Sequence, residues 1–269
     1  MFLEFGKAGV IGTTTNIPNG RGPRTTKFSN LTYTLQEFEQ AGYTQKSRQQ
    51  DYPVKEITYQ FNSCGYRCQE FANRSRINVI SIGCSETFGV GVRQEERFSN
   101  IFCKGIEEAT GETVSDFNIG IGAKSNDWIA RTLDDSLPSL KPDVVLVCFT
   151  YINRREYTDI TGFTYDFLPG VPIREVPPHM RDVWSRLAWL ASPSEDTINL
   201  WKNYNLCQRS CLKAGVKLIS SWTDDASDII TDDAVGSFVR LDTTSDRIHR
   251  GPISHAALGK LMLRSYLGC

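Results

Sequence analysis

The stretch INVISIGCSETFGVGV, residues 77–92, carries the strongest structural signal in the chain. It opens as an apolar run and then passes through Gly83, Cys84 and Ser85 to a second glycine, Gly89. A continuous apolar run bounded by turn residues is typical of a strand buried inside a parallel sheet. A glycine at the end of such a strand permits a sharp turn. The pattern predicts a buried strand followed by a turn that lifts the side chain of Ser85 into a cleft.

Helical and strand-like segments alternate downstream of this stretch. Ser125 or Asn126 is the expected N-cap of one of the helices, since short polar side chains cap helices well. Strands that alternate with helices favour a parallel sheet with right-handed crossovers. We therefore predict an α/β fold, a three-layer sandwich with a central parallel sheet. Its further strands are expected within 113–120, 142–150 and 216–222, and its helices within 96–111, 125–140, 195–215 and 253–267.

Two regions depart from this alternation. Residues 1–76 are expected to form an N-terminal extension, loop-rich at first and then with minor strands. Residues 77–269 form the predicted α/β domain. A segment near 151–197 contains several prolines and an aromatic helix, and it reads as an insertion or lid within that domain.

Charge and hydropathy exclude several classes of protein. The net charge is −1, and the basic cluster GRGPRTTK at 20–27 is short and broken by glycine and proline. Nucleic-acid binders usually present a basic surplus or face, so we expect no nucleic-acid partner. The apolar runs are far too short to span a bilayer, and no secretory signal is recognised at the N-terminus. We expect a soluble protein without a membrane partner.

The eight cysteines are interpreted as thiols rather than as metal ligands. Two pairs, Cys64/Cys68 and Cys207/Cys211, share a C-x-x-x-C spacing. A four-thiolate zinc site is conceivable, but structural zinc ligands more often come as C-x-x-C knuckles. We expect no metal and no cofactor.

A serine nucleophile needs a base, and the chain offers three histidines, His179, His249 and His255. His249 follows Asp246 by three residues in SDRIHRGPISH, a spacing that lets the carboxylate reach the imidazole. Such a carboxylate fixes the tautomer of the base and stabilises the imidazolium. We predict Ser85, His249 and Asp246 as a catalytic triad and His255 as a structural residue.

The order of these motifs resembles that of the SGNH hydrolases, also called GDSL esterases or lipases. The family's Gly-Asp-Ser turn corresponds to Gly83-Cys84-Ser85, with a cysteine in place of the aspartate. Its Asn-x-Gly-x-x-Gly block corresponds to residues 118–123, where Ala123 stands at the position of the last glycine. Its Asp-x-x-His block matches outright at residues 246–249. The resemblance covers roughly residues 77–267. The segments around Ser85 and Ala123 are most similar to those of viral members of the family.

The resemblance also implies an oxyanion hole and a substrate surface. Backbone N–H groups of Ser85 and of either Gly122 or Ala123 would hold the oxyanion, with Ala123 suitable if its backbone is not left-handed. The family's third block, Gly-x-Asn-Asp, is the weakest match. It corresponds to residues 150–153, where the glycine is absent and the amide of Asn153 is the candidate donor. Candidate substrate contacts are Arg154, Trp184 and Trp189, although either tryptophan can equally belong to the core.

The expected activity is hydrolysis of an ester, either an acyl ester or an O-acetyl group, through an acyl-enzyme. The expected partner is a small-molecule or glycan ester, in the cytoplasm or in a virion. Two alternatives stay open: a carbohydrate O-deacetylase, and a binding module of a virion that kept the fold without turnover. The sequence leaves the oligomeric state open.

Overall fold

The computed structural model describes residues 25–29, 56–158, 164–169, 173–176, 178–223, 234–244 and 248–268. Its strands are β1 (Thr25–Ser29), β2 (Glu56–Gln60), β3 (Ile77–Gly83), β4 (Val114–Asn118), β5 (Val144–Phe149), β6 (Arg155–Thr158), β7 (Thr164–Phe167), β8 (Lys217–Trp222) and β9 (Ala234–Ser237). Its helices are α1 (Ser85–Phe88), α2 (Phe98–Thr110), α3 (Asn126–Leu140), α4 (Arg181–Leu190), α5 (Pro193–Ala214) and α6 (Pro252–Leu267).

A five-stranded parallel sheet lies at the centre, in the order β4-β3-β5-β8-β9. Side chains alternate between its two faces, as the strand period requires. Ile80 and Ile82 of β3 pack in the core under α3 and α5, whereas Val79 packs in the core under α2 and α6. The predicted three-layer α/β sandwich is therefore confirmed.

The edge strand β9 was not among the predicted strands. It pairs with β8 across an irregular register, and all four of its residues are only half-buried. The sequence AVGS lacks the continuous apolar run that marks the central strands, so its place in the sheet is decided by pairing with β8 rather than by local pattern.

The predicted helix boundaries are close to those in the structure. Ser125 is the N-cap of α3, and its hydroxyl accepts a hydrogen bond from the Trp128 N–H at 3.2 Å. Helices α2 and α5 end at Gly111 and Gly215, whose φ angles of 76° and 69° lie in the left-handed region. Glycine adopts that region at little cost, which explains why these helices stop there.

The segment between β5 and α5 forms a small unit beside the main sheet. Strands β6 and β7 make an antiparallel hairpin, and Phe167, Val176 and Trp184 form an apolar cluster of their own. Ion pairs attach this unit to the sandwich. They are Arg155–Asp196, Arg131–Glu156 and Lys124–Asp166.

Residues before β3 also contribute to the core. Strands β1 and β2 form an antiparallel hairpin, and Tyr66 and Cys68 are buried in the cluster under α3 and α5. The hydroxyl of Tyr59 accepts a hydrogen bond from the Gly91 N–H at 2.7 Å. Most of the predicted N-terminal arm, including residues 1–24, lies outside the described residues.

The seven cysteines within the described ranges are free thiols. Burial raises the pKa of Cys211 to about 12 and the pKa of Cys207 well above its ordinary value, so both thiols stay protonated. Within the same ranges, no group of three or more His, Cys, Asp or Glu side chains is arranged to hold a metal ion. The described helices include none that is long and apolar enough to cross a membrane.

His255 is a buried structural residue, as predicted. It is fully buried on α6, its Nδ1 accepts the Phe98 N–H at 3.2 Å, and its ring stacks on Phe98. Burial, reinforced by the guanidinium groups of Arg97 and Arg250, lowers the pKa of His255 to about 3. It is therefore neutral throughout the physiological range and ill suited to act as a second base.

The buried imidazole predicts acid sensitivity of the fold. The folded-state pKa of His255 lies below the unfolded value of about 6.5, so unfolding takes up a proton between pH 6.5 and pH 3. Stability is full above that window and falls as the pH is lowered through it. Between pH 7.5 and 5.0 this residue alone should lower the free energy of unfolding by about 2 kcal/mol.

Urea denaturation at both pH values measures this loss. His255→Leu is expected to be less stable at pH 7.5 but to lose about 2 kcal/mol less than wild type on acidification. His179→Leu, at an exposed histidine, is the matched control and should keep the wild-type dependence. Equal pH dependence in His255→Leu and wild type would contradict the assignment.

Candidate active site

Ser85 stands at the carboxyl end of the central strand β3, at the first position of the single-turn helix α1. The turn requires Gly83, because a Cβ there would lie 2.1 Å from Thr87 Oγ1 and 2.6 Å from the Cys148 carbonyl oxygen. Gly89 ends the helix with φ of 81°. Ser85 is half-buried, and its Oγ lies 3.6 Å from Cys84 Sγ. The strand and the turn therefore lie where they were predicted.

Residues 118–123, the segment compared with the Asn-x-Gly-x-x-Gly block and called the second block here, pack directly on this turn. Asn118, the last residue of β4, donates from Nδ2 to the Thr87 carbonyl at 2.6 Å and accepts the Gly120 N–H at 3.0 Å. A Cβ on Gly120 would lie 2.8 Å from the Phe88 nitrogen, so only glycine allows this approach. A Cβ on Gly122 would lie 3.8 Å from Ser85 Cβ. Gly122 therefore borders the serine.

Ala123 does not meet the condition under which it was expected to serve as an oxyanion donor. Its φ is 66°, which lies in the left-handed region that alanine rarely adopts. The next residue, Lys124, is buried and forms an ion pair of 2.6 Å with Asp166 of β7. This ion pair fixes the strained loop to the inserted hairpin. Gly122 is thus the better candidate donor.

Residues 150–153, the candidate third block, begin with a reciprocal clamp, which is a pair of hydrogen bonds between Thr150 and Asn126. The Thr150 N–H donates to Asn126 Oδ1 at 2.8 Å, and Asn126 Nδ2 donates back to the Thr150 carbonyl at 3.1 Å. The clamp joins the end of β5 to the start of α3. Asn153 lies three residues further on, exposed to solvent in a turn. An exposed amide at this strand end is accessible to a substrate.

Cys84 belongs to a chain of hydrogen-bonded side chains. Its Sγ accepts a hydrogen bond from Thr150 Oγ1 at 3.1 Å. Thr150 Oγ1 in turn accepts a hydrogen bond of 3.1 Å from Arg154, whose guanidinium lies 4.8 Å from the centre of the Tyr151 ring. A continuous polar chain therefore connects Arg154 with the serine turn.

The loop that carries His249 is held at both of its ends. Asp242, which is buried, accepts the backbone N–H groups of Ile253 and Ser254 at 3.0 and 2.8 Å and so caps α6. The Thr244 N–H donates to the His249 carbonyl at 2.9 Å. His249 itself is half-buried. Asp246, the predicted third member of the triad, lies outside the described residues.

A buried ion pair links the serine turn with the histidine loop. Arg250 Nη1 lies 2.9 Å from Glu86 Oε1, and the Arg250 backbone N–H donates to Glu86 Oε2 at 3.2 Å. Glu86 directly follows Ser85, and Arg250 directly follows His249. The guanidinium also donates to the carbonyls of Thr223 and Phe238. Two side chains that adjoin the predicted nucleophile and base are thus paired inside the protein.

Sequence reasoning missed this pair because 164 positions separate its members and no local pattern joins them. The signal that was available is their adjacency to two predicted catalytic residues. A buried glutamate and a buried arginine next to such residues each require a partner of opposite charge.

A second arginine holds the far end of the turn. Arg67 donates to the carbonyls of Phe88, Gly89 and Val92 at 2.9, 2.6 and 2.9 Å. Its guanidinium lies 4.0 Å from the centre of the Tyr59 ring. Burial, together with the charge of a neighbouring arginine, lowers the pKa of Arg67 to about 9. The segment before β3 thereby belongs to the support of the site.

The two tryptophans of the insertion have different environments. Trp184 is buried against Phe167, with ring centroids 4.5 Å apart, and so belongs to the core of the inserted unit. Trp189 is 84% exposed on α4. Of the two tryptophans predicted as substrate contacts, only Trp189 presents its ring to solvent.

No protein-family model and no curated protein matches the sequence. Three of the solved structures that match it are an acetyl xylan esterase, a Desulfitobacterium hafniense protein assigned to the G-D-S-L family, and an acetylxylan esterase from Geobacillus stearothermophilus. Their identities to this chain are 18%, 13% and 14%, with TM-scores of 0.41, 0.40 and 0.39. The matches cover 69%, 71% and 71% of this chain and 98%, 99% and 94% of those chains. Because these TM-scores are below 0.5, function has to be inferred from the residues of this chain.

The buried ion pair predicts a large stability effect. Arg250→Met should lower the free energy of unfolding by about 3–5 kcal/mol, because Glu86 would remain buried without its partner. The double variant Glu86→Leu/Arg250→Met should lose less than the sum of the two single losses, since both charges are gone. Urea denaturation of Arg250→Met, Glu86→Leu and the double variant gives the free energies of unfolding that the double-mutant cycle compares with wild type.

The control is Lys104→Ala, which breaks the exposed pair Lys104–Glu108 on α2. Its loss should stay below about 1 kcal/mol. Arg250→Met would contradict the prediction if it were no more destabilising than this control.

Proposed function

We propose that this chain is a serine hydrolase of the SGNH (GDSL) type that cleaves an ester through an acyl-enzyme. The observation that carries the proposal is the buried Glu86–Arg250 ion pair. It brings together the backbone around Ser85 and the backbone around His249, which are remote in sequence. A nucleophile and a base on two loops that are fixed to each other are the minimum that nucleophilic catalysis requires.

The proposed mechanism begins with proton transfer from Ser85 to His249 as Ser85 Oγ attacks the ester carbonyl. His249 then gives this proton to the leaving alcohol, and the acyl group remains on Ser85. In the second half, His249 deprotonates a water molecule that attacks the acyl-enzyme and releases the acid. Asp246 orients His249 and stabilises its charged form.

Negative charge on the carbonyl oxygen is held by the Ser85 N–H, by the Gly122 N–H and by the side-chain amide of Asn153. The position of Gly122 beside Ser85 supports its part in this set. Donors that are already fixed before the reaction lower the barrier because they need no reorganisation as charge develops. Hydrogen bonds from Asn118 and the approach of Gly120 fix the second block in this way.

The first test is hydrolysis of a series of p-nitrophenyl acyl esters and of an acetylated glycan. Ser85→Ala and His249→Ala should each lower kcat on the order of 10⁶-fold, and the double variant should be no worse than either single one, because the two residues act as a unit. Ser139→Ala, at an exposed serine on α3, is the control and should keep wild-type kcat.

The pattern of turnover also decides among the alternatives. Ser85-dependent release of acetate from the glycan alone would identify a carbohydrate O-deacetylase. A folded wild-type protein without Ser85-dependent turnover on any of these esters would contradict the proposal and favour a non-catalytic module.

The oxyanion assignment makes a separate prediction. Asn153→Ala should lower kcat about 10²- to 10³-fold with little change in KM, because the amide contributes mainly in the transition state. Steady-state kinetics on the best ester measure both constants. Asn73→Ala, at an exposed asparagine ahead of β3, serves as the control. A raised KM at unchanged kcat would instead make Asn153 a ground-state substrate contact.

A further inference from the structure

Arg154 carries a half-buried positive charge close to the serine turn. Its Nη1 donates to Thr150 Oγ1 at 3.1 Å, that hydroxyl donates to Cys84 Sγ at 3.1 Å, and Sγ lies 3.6 Å from Ser85 Oγ. Two side chains therefore bridge the guanidinium and the proposed nucleophile. This chain of contacts places the charge of Arg154 near Ser85.

The other arginines near the site have acceptors that account for their burial. Arg97 pairs with Asp116, Arg155 with Asp196 and Arg250 with Glu86. Arg67 donates to three backbone carbonyls. Each of these guanidinium groups is thus held by a carboxylate or by backbone carbonyls of the fold.

Arg154 differs from them. In the part of the chain that the structure describes, the partners of its guanidinium are the Thr150 hydroxyl and the face of the Tyr151 ring, and no carboxylate pairs with it. A guanidinium has five N–H donors in one plane, and stacking on a ring occupies its face rather than its edge. The remaining N–H edge matches the two oxygens of a carboxylate.

We propose that Arg154 selects esters that carry an anionic group, such as a carboxylate, in their acyl or alcohol part. The inference rests on the proposed ester hydrolysis and defines its substrate class. The anion binds the free edge of Arg154 while the ester carbonyl lies at Ser85. Arg154 is then a specificity residue that acts on the part of the substrate that does not react.

The test uses two pairs of esters that differ in charge. The first pair, 4-acetoxybenzoate and 4-acetoxybenzamide, places the charge in the alcohol part. The second, p-nitrophenyl hydrogen glutarate and p-nitrophenyl valerate, places it in the acyl part. Wild type should prefer the anionic member of at least one pair about 10- to 100-fold in kcat/KM, the range expected for a hydrogen-bonded charge pair.

Arg154→Met should bring this ratio close to one, whereas Arg154→Lys should keep part of it, since an ammonium retains the charge without the planar fork. The preference should appear mainly in KM and weaken at high salt. Arg186→Met, at an exposed arginine on α4, is the matched control and should keep the wild-type ratio. Circular dichroism verifies that each variant is folded.

The outcomes separate this inference from the proposed function. Ser85-dependent turnover with equal kcat/KM for charged and neutral esters overturns the inference alone, as does an equal loss on both members of a pair in Arg154→Met. Without turnover on any of the four esters, calorimetric binding to Ser85→Ala decides. Binding of an anionic ester that is lost in Ser85→Ala/Arg154→Met supports the inference, and an absence of such binding overturns it.

Discussion

The buried ion pair between Glu86 and Arg250 fixes the relation between two loops on which the rest of the site depends. Helix α1 is a single turn, and a helix this short has little stability of its own. Arg250 holds its beginning from the side of α6, and Arg67 holds its end by binding three carbonyls. Because neither charge of the ion pair can be left alone in the interior, the serine turn and the histidine loop are constrained to one mutual arrangement.

Glycine residues that allow close packing around the serine turn impose a second constraint on the candidate site. Gly83 lets the backbone of β3 turn beneath Thr87, and Gly120 lets the second block touch the backbone of the same turn. Asn118 then joins the two segments by hydrogen bonds on both sides of its amide. These contacts lie where β3 and β4 end, which is where parallel sheets collect their functional groups. The sheet therefore positions the serine turn. The glycines allow the neighbouring backbone segments to approach it more closely than a larger side chain would permit.

The inserted unit is part of the same arrangement. Its hairpin carries Asp166, whose ion pair with Lys124 secures the left-handed backbone at Ala123, the residue after Gly122. Its first residues include Arg154, which is connected to the turn through Thr150 and Cys84. Cys84 fits this setting because the Thr150 hydroxyl donates a hydrogen bond to its Sγ. The insertion thereby contacts the candidate site in two places, through the ion pair with Lys124 and through Arg154.

The sequence by itself determined the α/β sandwich, four of the five strands of its parallel sheet, the capped helices and the turn that carries Ser85, because periodicity, glycine and capping chemistry act over a few residues. The motif order also pointed to His249 and to the structural role of His255. Tertiary structure decided the edge strand β9, the burial of Trp184, the left-handed backbone of Ala123 and the pairing of Glu86 with Arg250. These features arise from contacts between distant segments, and a buried charge finds its partner only when the chain has folded around it.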